Sequence, residues 1–237
     1  MIESELILAD LQSIEKRLPK WDKESRGGNK ESQQLLGMGQ KLMEEMNQGK
    51  LASQLDWTDE ERELLKQFQL LTSKPMMFIV NVHEDEITQF DEAMVRDQLG
   101  IHAQHKIIPI SAKIEQELGQ LSEEEAKEFL ADIGLKEPGM HSLIRHAYDI
   151  LGLQTYFTAG VKEVRAWTVK KGASAPQAAG VIHTDFEKGF IRAEVIPFEK
   201  FVEHGGEHGA KEKGHMRLEG KEYLVKDGDV MHFRFAN

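Results

Sequence analysis

Polar side chains follow two strand-like apolar segments in the middle of this sequence of 237 residues. Asn81 and Glu84 come directly after the apolar run 76–80, and the segment 106–110 ends in Ser111-Ala112-Lys113. Strands that are buried in parallel sheets read as continuous apolar runs, and ligands bind beyond the carboxyl ends of such strands. We therefore expect Asn81 and Glu84 to lie where a ligand binds, with the Ser111–Lys113 loop on the same rim.

The spacing of these two segments predicts a βαβ unit. The acidic stretch 85–99 between them is helix-like, with Ile87, Phe90 and Met94 as its apolar residues. A crossover connection makes the two strands parallel and brings both of their ends to one edge. Two strands are fewer than the roughly four to six of an ordinary sheet, so the strand 76–80 is expected to be exposed or covered by association.

Three helices are predicted after the second of these strands. One is predicted to start near Ile114, a second is capped by Ser122 and Glu125 and stopped by Gly134, and a last one runs over 140–151.

The amino-terminal segment reads as an antiparallel helical arm. Two apolar stripes with helical spacing flank a polar break at 20–29, and they consist of Ile7, Leu11, Ile14 and Leu18, then Leu35, Met38, Leu42 and Met46. A third helix is predicted to start at the Thr58–Glu61 capping box and to bury Leu64, Phe68 and Leu71. Simple helix packing is the alternative to a partner groove for these stripes.

From residue 153 onward the sequence changes to short strands and turns. Strand-like segments lie at 154–158, 164–169, 191–196, 222–225 and 230–235, and turns that contain Gly separate several of them. The segment 175–179 reads as a short helix. We expect a small mixed sheet that grips one helix, a β-grasp arrangement.

Composition and charge limit the classes of function. The formal net charge is −11, and it is concentrated in residues 75–152, which sum to −9, against +1 for 153–237. Contact with a polyanion such as RNA is therefore expected to avoid the middle segment. The sequence contains no cysteine, no basic and apolar leader, and no apolar run near the roughly 20 residues of a membrane span, so we expect a cytoplasmic protein without membrane association.

Long segments at both ends carry a resemblance to a known family. The carboxy-terminal ones are LQTYFTAG (153–160), EVRAWT (163–168), APQAAGVIHTDFEKGFIRAEVI (175–196) and the ending 225–235. They resemble the TGS domain of the YchF, or Obg-like, ATPases. The segment ESELILADL (3–11) is similar to the first helix of the arm that this family inserts into its G domain.

The resemblance implies an α/β protein of several parts. These are a helical coiled-coil arm over 1–73, the carboxy-terminal part of an Obg-type, P-loop GTPase-like parallel α/β domain over 74–152, and a β-grasp TGS domain over 153–237. The whole sequence then corresponds to the carboxy-terminal two thirds of that architecture.

The same resemblance implies a role for the two polar loops. GTPases of this class read guanine with an Asn-Lys-x-Asp loop, where this sequence has Asn81-Val82-His83-Glu84. The family has an Asn-x-x-Glu loop and favours ATP over GTP, and Ser111-Ala112-Lys113 resembles the second base loop. The implied base-binding residues are Asn81, Val82, Glu84, Ser111, Ala112 and Lys113. Taken alone, an Asn at a strand end is more often a turn residue.

The phosphate side of such a site has no counterpart in this sequence. It contains no Gly-x-x-x-x-Gly-Lys-Ser/Thr motif, and the nearest cluster, Gly37-Met38-Gly39-Gln40-Lys41, lies inside a helical stripe. We expect no catalytic residue and no hydrolase activity in this chain by itself. ATP and magnesium are implied as cofactors of the full-length family, and we expect neither to be bound by this chain alone.

Partners also follow from the resemblance. The family implies the ribosome or RNA as partner, with Lys162, Arg165, Lys170, Lys171 and Arg192 as the candidate contacts, although these sparse basic residues can equally form a solvated face. His204, His208 and His215 are expected to be solvated loop residues, so no metal site is predicted. Two hypotheses stay open: the carboxy-terminal part of a YchF-like ATPase from a truncated or split gene, with a separately encoded amino-terminal half, or a free-standing RNA- or ribosome-binding module.

Overall fold

The protein contains both helices and strands, as the predicted α/β class requires, and its strands form two separate β-sheets. The structure is a computed structural model that describes residues 2–160 and 163–236. The chain divides into two compact units, Met1–Leu143 and Ile144–Asn237. The first unit includes both the predicted arm and most of the segment 74–152, and the predicted three-part division stays a prediction.

The first unit begins with a helical hairpin. Helix α1, Ile2–Arg26, packs against α2, Lys30–Asn47. The predicted apolar stripes form the core of this hairpin, in which Ile14 and Leu42 are fully buried. The predicted break at 20–29 is wrong over its first part, because α1 continues to Arg26. Trp21 keeps this last part of α1 in the core, since its ring packs against Phe68 with the centroids 4.7 Å apart.

Helix α3, Asp59–Phe68, starts at the predicted Thr58–Glu61 capping box. Phe68 is buried as predicted, but Leu65 is buried in place of Leu64, which is only partly covered. The prediction for Leu71 is also wrong, because α3 ends at Phe68 and Leu71 is 41% exposed.

A buried carboxylate fixes the segment that follows α3. Asp10 of α1 is 3% exposed and accepts hydrogen bonds from the backbone N–H groups of Leu71 and Thr72, both at 2.8 Å. The Thr72 hydroxyl donates a third bond to the same carboxylate at 2.7 Å. Because a buried carboxylate needs such donors, Asp10 ties the chain that leads into the first sheet to the arm.

The first sheet is a parallel pair with the predicted βαβ connection. Strand β1, Met77–Asn81, pairs with β2, Lys106–Ile110, in a register that places Asn81 opposite Ile110. A 3₁₀ turn, Ile87–Gln89, and helix α4, Glu92–Leu99, connect them. The prediction of one helix through Ile87, Phe90 and Met94 is wrong, because the Asp91 side chain accepts from the Met94 N–H and begins a separate helix.

Three helices follow β2. They are α5, Ala112–Leu118, then α6, Glu123–Asp132, with the predicted Ser122–Glu125 capping box, and α7, Gly139–Ile150, inside which the boundary between the units falls. Within the part of the chain that the structure describes, β1 has β2 as its only strand neighbour. Its residue Ile79 is 53% exposed, in line with the exposure expected for this strand.

The second unit contains a mixed sheet of five strands. In chain order its elements are β3, Leu153–Ala159; β4, Val164–Lys170; α8, Ala175–Ile182; α9, Thr184–Lys188; β5, Phe190–Pro197; α10, Phe198–Glu203; α11, Glu207–Glu212; β6, Arg217–Glu219; and β7, Asp229–Phe235. The strand order is β4-β3-β7-β5-β6, with β3 and β7 parallel and the other pairs antiparallel.

One face of this sheet packs on α8. Tyr156 is fully buried there, and its hydroxyl donates to the Ala178 carbonyl oxygen at 2.9 Å. Burial raises the pKa of the Tyr156 hydroxyl, which therefore stays protonated. Met231 of β7 is 1% exposed in the same core. A small mixed sheet on one helix was the packing predicted from the sequence.

Two predictions for this unit are wrong. The segment 222–225 is not a strand of the sheet, because Leu224 forms only an isolated bridge with Ser174. The prediction of solvated loop histidines is wrong for His204, whose side chain is 19% exposed and whose ring stacks on His215 with the centroids 4.9 Å apart. His208 is exposed as predicted, but it lies in α11 and not in a loop. The sequence signals of α9, α10, α11 and β6 were too short to predict these elements.

Candidate functional site

The two predicted polar loops meet at the carboxyl ends of β1 and β2. Asn81 ends β1, and its side-chain oxygen accepts a hydrogen bond from the Ala112 N–H at 3.0 Å. The Val82 N–H donates to the Ile110 carbonyl oxygen at 2.9 Å and extends the pairing by one residue. Parallel register therefore brings the two loops together across one rim, as the sequence predicts.

A second contact joins the loops through charged side chains. The Lys113 ammonium lies 2.5 Å from Glu84 Oε1, and the Lys113 side chain is 58% and that of Glu84 28% exposed. The hydrogen bond to Glu84 raises the pKa of Lys113 above its ordinary value, and the negative charges of Glu117 and Asp85 raise it in the same direction. Lys113 is therefore fully charged at neutral pH.

The remaining predicted residues take different environments. Ser111 is buried at the position before α5, and Val82 is half-buried, whereas Asn81 and Ala112 are exposed. A cavity beside β2 is lined by Ile108, Ile110 and Ser111, but not by Asn81, Val82, Ala112, Glu84 or Lys113. The structure thus brings the loops into contact at an open rim rather than around one enclosed cavity. Their role in base binding stays a prediction.

The predicted basic contacts do not form one patch. Arg165 and Lys170 lie exposed on the edge strand β4, where the Arg165 guanidinium stacks 4.1 Å from the Trp167 ring centroid. Lys171 pairs with Asp149 at 2.7 Å. Arg192 lies on β5, three strands from β4 and so roughly 14 Å away. Lys162 lies outside the described residues.

Among the residues that the structure describes, two groups of side chains place possible metal-ligand atoms within 4.8 Å of one another, and neither includes His204, His208 or His215. They are His83, Glu84 and Asp85 on the loop after β1, and Glu194, Glu207 and His232 in the second unit. In each group an acidic member already has a cationic partner, Lys113 for Glu84 and Arg234 for Glu194 at 3.1 Å. Neither group therefore offers a metal a free set of carboxylates.

A polar cluster in the first unit was missed by sequence reasoning. Glu3 of α1 is 9% exposed, and its carboxylate oxygens lie 3.2 Å from His102 Nε2 and 3.3 Å from His105 Nε2. Burial lowers the pKa of His105, although Glu3 acts in the opposite direction. Arg96 donates to the backbone carbonyl oxygens of His102 and His105 at 2.7 and 2.9 Å. About a hundred residues separate Glu3 from the histidines, so no local pattern indicates the contact.

Among the helices of residues 2–160 and 163–236, none combines the length and the apolar character that crossing a membrane requires.

Solved structures define the class of this α/β protein, which has the fold of a YchF GTPase. The YchF GTPase of Schizosaccharomyces pombe matches with a TM-score of 0.80 and 31% sequence identity, over 98% of this chain and 64% of that chain. A GTP binding protein from Pyrococcus horikoshii matches with a TM-score of 0.58 and 19% identity, over 99% of this chain and 70% of that one, and supports the fold alone.

Sequence comparisons identify the family. Residues 153–236 match the family model YchF-GTPase_C, described as "Protein of unknown function (DUF933)". Proteins named "Ribosome-binding ATPase YchF" are 49% identical in Haemophilus influenzae and 46% identical in Bacillus subtilis, in each case over 99% of this chain. This chain belongs to the YchF family. It spans 64% and 65% of the length of these two relatives.

Proposed function

We propose that this chain supplies the helical arm, the base-reading end of an ATP site and the TGS module of a YchF-like, ribosome-associated ATPase. In this assignment residues 1–73 are the arm, 74–152 are the end of the G domain and 153–237 are the β-grasp TGS domain. Asn81, Val82, Glu84, Ser111, Ala112 and Lys113 surround the base, and ATP is preferred over GTP. The chain by itself is proposed not to hydrolyse nucleotides, because its sequence contains no phosphate-loop motif.

The observation that carries this proposal is the pair of contacts between the two loops. The bond from the Ala112 N–H to Asn81 and the ion pair of Glu84 with Lys113 hold residues 81–84 and 111–113 against each other. A base-reading site needs donors and acceptors held in place before the ligand arrives. The names of the relatives, which are ribosome-binding ATPases, support the choice of ATP and of the ribosome.

The base site is tested by titrating ¹⁵N-labelled chain with ATP while recording amide shifts. We expect weak binding, in the millimolar range, with shifts confined to 81–84 and 111–113, because phosphate contacts normally supply most of the affinity for a nucleotide. Phosphate release should stay at the background level. Micromolar affinity by calorimetry would contradict the proposal, and so would the absence of shifts in both loops at saturating ATP.

A separate chain with the phosphate-binding half is proposed as a further partner. The open edge of β1 and the exposed Ile79 side chain offer it strand hydrogen bonds and apolar surface. The experiment adds the amino-terminal third of the Haemophilus influenzae relative in trans and measures hydrogen exchange of β1. Increased protection is expected, and unchanged exchange would argue against this partner.

The second candidate is an RNA- or ribosome-binding module without nucleotide chemistry. It is supported by Arg165, which is exposed on the edge strand β4 with its guanidinium over the Trp167 ring, and by Lys170, which is exposed at the end of the same strand. Co-sedimentation with ribosomes at low and moderate salt tests it. Arg165→Gln with Lys170→Gln should reduce pelleting and its dependence on salt, while Lys127→Gln should not. Failure of the unaltered chain to pellet at either salt would exclude this candidate.

A further inference from the structure

Lys113 meets the predicted site with its side chain as well as with its backbone. The family resemblance assigns the Ser111–Lys113 loop to the second base loop, whose backbone N–H groups contact the base. In the structure the Lys113 ammonium also reaches across to Glu84 Oε1 at 2.5 Å. Glu84 occupies the acidic position of the first base loop, where GTPases of this class have the Asp that reads guanine. One oxygen of the Glu84 carboxylate is thus engaged before any ligand arrives.

We propose that Lys113 is a positioning residue that sets the base preference of this site by occupying one oxygen of Glu84. The inference rests on the proposed function, since it concerns the same base site. It predicts that a base with one donor group on the edge that faces Glu84 is preferred over a base with two adjacent donor groups.

The number of donors on each base gives the reason. Guanine presents its ring N1–H and its exocyclic amine side by side, and a carboxylate reads this edge best when both of its oxygens accept. Adenine presents one exocyclic amine on its corresponding edge. With the ammonium on Oε1, Oε2 is the freer acceptor and satisfies the single adenine amine, whereas the second guanine donor has to share Oε1 with Lys113.

The geometry also explains why the carboxylate holds one orientation. Glu84 is joined to a residue of the opposite loop, and that loop is fixed by the Asn81–Ala112 hydrogen bond at 3.0 Å. Without the ammonium, the partly exposed Glu84 side chain regains its rotamers and presents both oxygens. Loss of Lys113 should therefore shift the preference toward guanine and not merely weaken binding.

The test compares AMP and GMP, which carry the same phosphate and differ only in the base. Amide shifts of 81–84 and 111–113 give both dissociation constants for the full chain and for Lys113→Met, Lys113→Arg and Lys127→Met. The original chain should favour AMP. In Lys113→Met the ratio of the two affinities should fall about fivefold, the factor expected for one net hydrogen bond. Lys113→Arg should retain the ratio, and Lys127→Met, in an exposed position on α6, should not change it.

A spectroscopic signature reports the pair itself. The side-chain ammonium of Lys113 should give a detectable ¹⁵N signal in the original chain, and Glu84→Gln should remove it. If Lys113→Met gives a poorly dispersed spectrum, Lys113→Gln serves the same comparison.

The outcomes separate the two levels of the proposal. If neither nucleotide shifts the loops in any variant, the proposed base site fails and this inference fails with it. If the original chain favours AMP and Lys113→Met keeps the same ratio, the base site stands and the role of Lys113 is overturned. An equal change in Lys127→Met would also overturn it, because a general effect of charge would then explain the result.

Discussion

The two sheets of this protein differ in the number of their strands and in how far their side chains are buried. The five-stranded sheet buries Tyr156 and Met231 against α8, and each of its strands pairs with a neighbour in the order β4-β3-β7-β5-β6. In the two-stranded sheet, Ile107 and Ile108 of β2 are buried, but β1 is half-covered and Ile79 is exposed. The candidate base site lies on the less complete sheet. Since segments with few buried contacts open at low free energy, its loops are expected to be the more mobile ones.

The comparison predicts its largest effect at the centre of the five-stranded sheet. Met231→Ala removes a side chain that is 1% exposed and should lower the free energy of unfolding of the second unit by about 2–5 kcal/mol. Hydrogen exchange read by mass spectrometry should show the loss between 144 and 236. An equal loss of protection in 2–143 would mean that the two cores unfold together.

Asp10→Ala should have the next largest effect, within the first unit. It leaves the N–H groups of Leu71 and Thr72 and the Thr72 hydroxyl without their acceptor, so we expect a loss of about 2–3 kcal/mol. Urea denaturation and exchange of the amides 70–76 measure this loss. The control is Asp22→Ala, which removes an exposed pair with Arg26 and should change stability by less than about 1 kcal/mol. Equal effects of the two substitutions would contradict the role of Asp10.

The cluster of Glu3 with two histidines should make the first unit sensitive to acid. Burial lowers the pKa of His105 below its unfolded value of about 6.5, so the unfolded chain binds the proton more readily. The stability that depends on neutral His105 is present above pH 6.5 and is lost as the pH falls from about 6.5 through the lower folded pKa.

His105→Gln should reduce this dependence on pH when urea midpoints are compared between pH 7.5 and 5.5. We expect the difference between its two midpoints to be smaller than in the original chain, because glutamine does not take up a proton in this range. His208→Gln is the control, because the His208 side chain is 88% exposed. A dependence on pH that is unchanged in His105→Gln would assign it to another group.

The smallest effect is expected at the exposed strand of the two-stranded sheet. Ile79→Thr should change the free energy of unfolding by no more than about 0.5 kcal/mol, because the side chain is 53% exposed and threonine keeps the β-branched shape. In the same measurements the amides of β1 should exchange faster than those of β7. Full protection of β1 in a monomer would remove the difference between the sheets.

The sequence predicted those parts of the fold that depend on local pattern. Helical stripes located α1 and α2, capping boxes located the starts of α3 and α6, and apolar runs that end in polar residues located β1 and β2 with their loops. At the candidate site the contact between the loops followed from parallel topology. The ion pair of Lys113 with Glu84 did not, because it depends on the direction of two long side chains.

The sequence-based predictions are wrong where packing between distant segments determines which side chain is buried. Leu64 and Leu65 are adjacent and equally apolar, and only the position of α3 against the hairpin determines which of them is buried. His204 is covered because α10 and α11 fold the chain back and bring His215 over its ring. The contacts of Glu3 with His102 and His105 join segments of the first unit that are about a hundred residues apart in the sequence.

Gly37 and Gly39, the two glycines of the cluster 37–41 that was compared with a phosphate loop, should differ in their tolerance to substitution. Gly37 faces solvent on α2, where an added Cβ meets no atom within 4 Å, so Gly37→Ala should strengthen the helix by up to about 1 kcal/mol. Gly39 is buried two residues later, and its added Cβ would lie 2.8 Å from Leu18 Cδ2 and 3.5 Å from Phe68 Cε1. A library that varies both positions should therefore accept many residues at 37 but only glycine and the smallest side chains at 39, where even a methyl group requires the end of the Leu18 side chain to move.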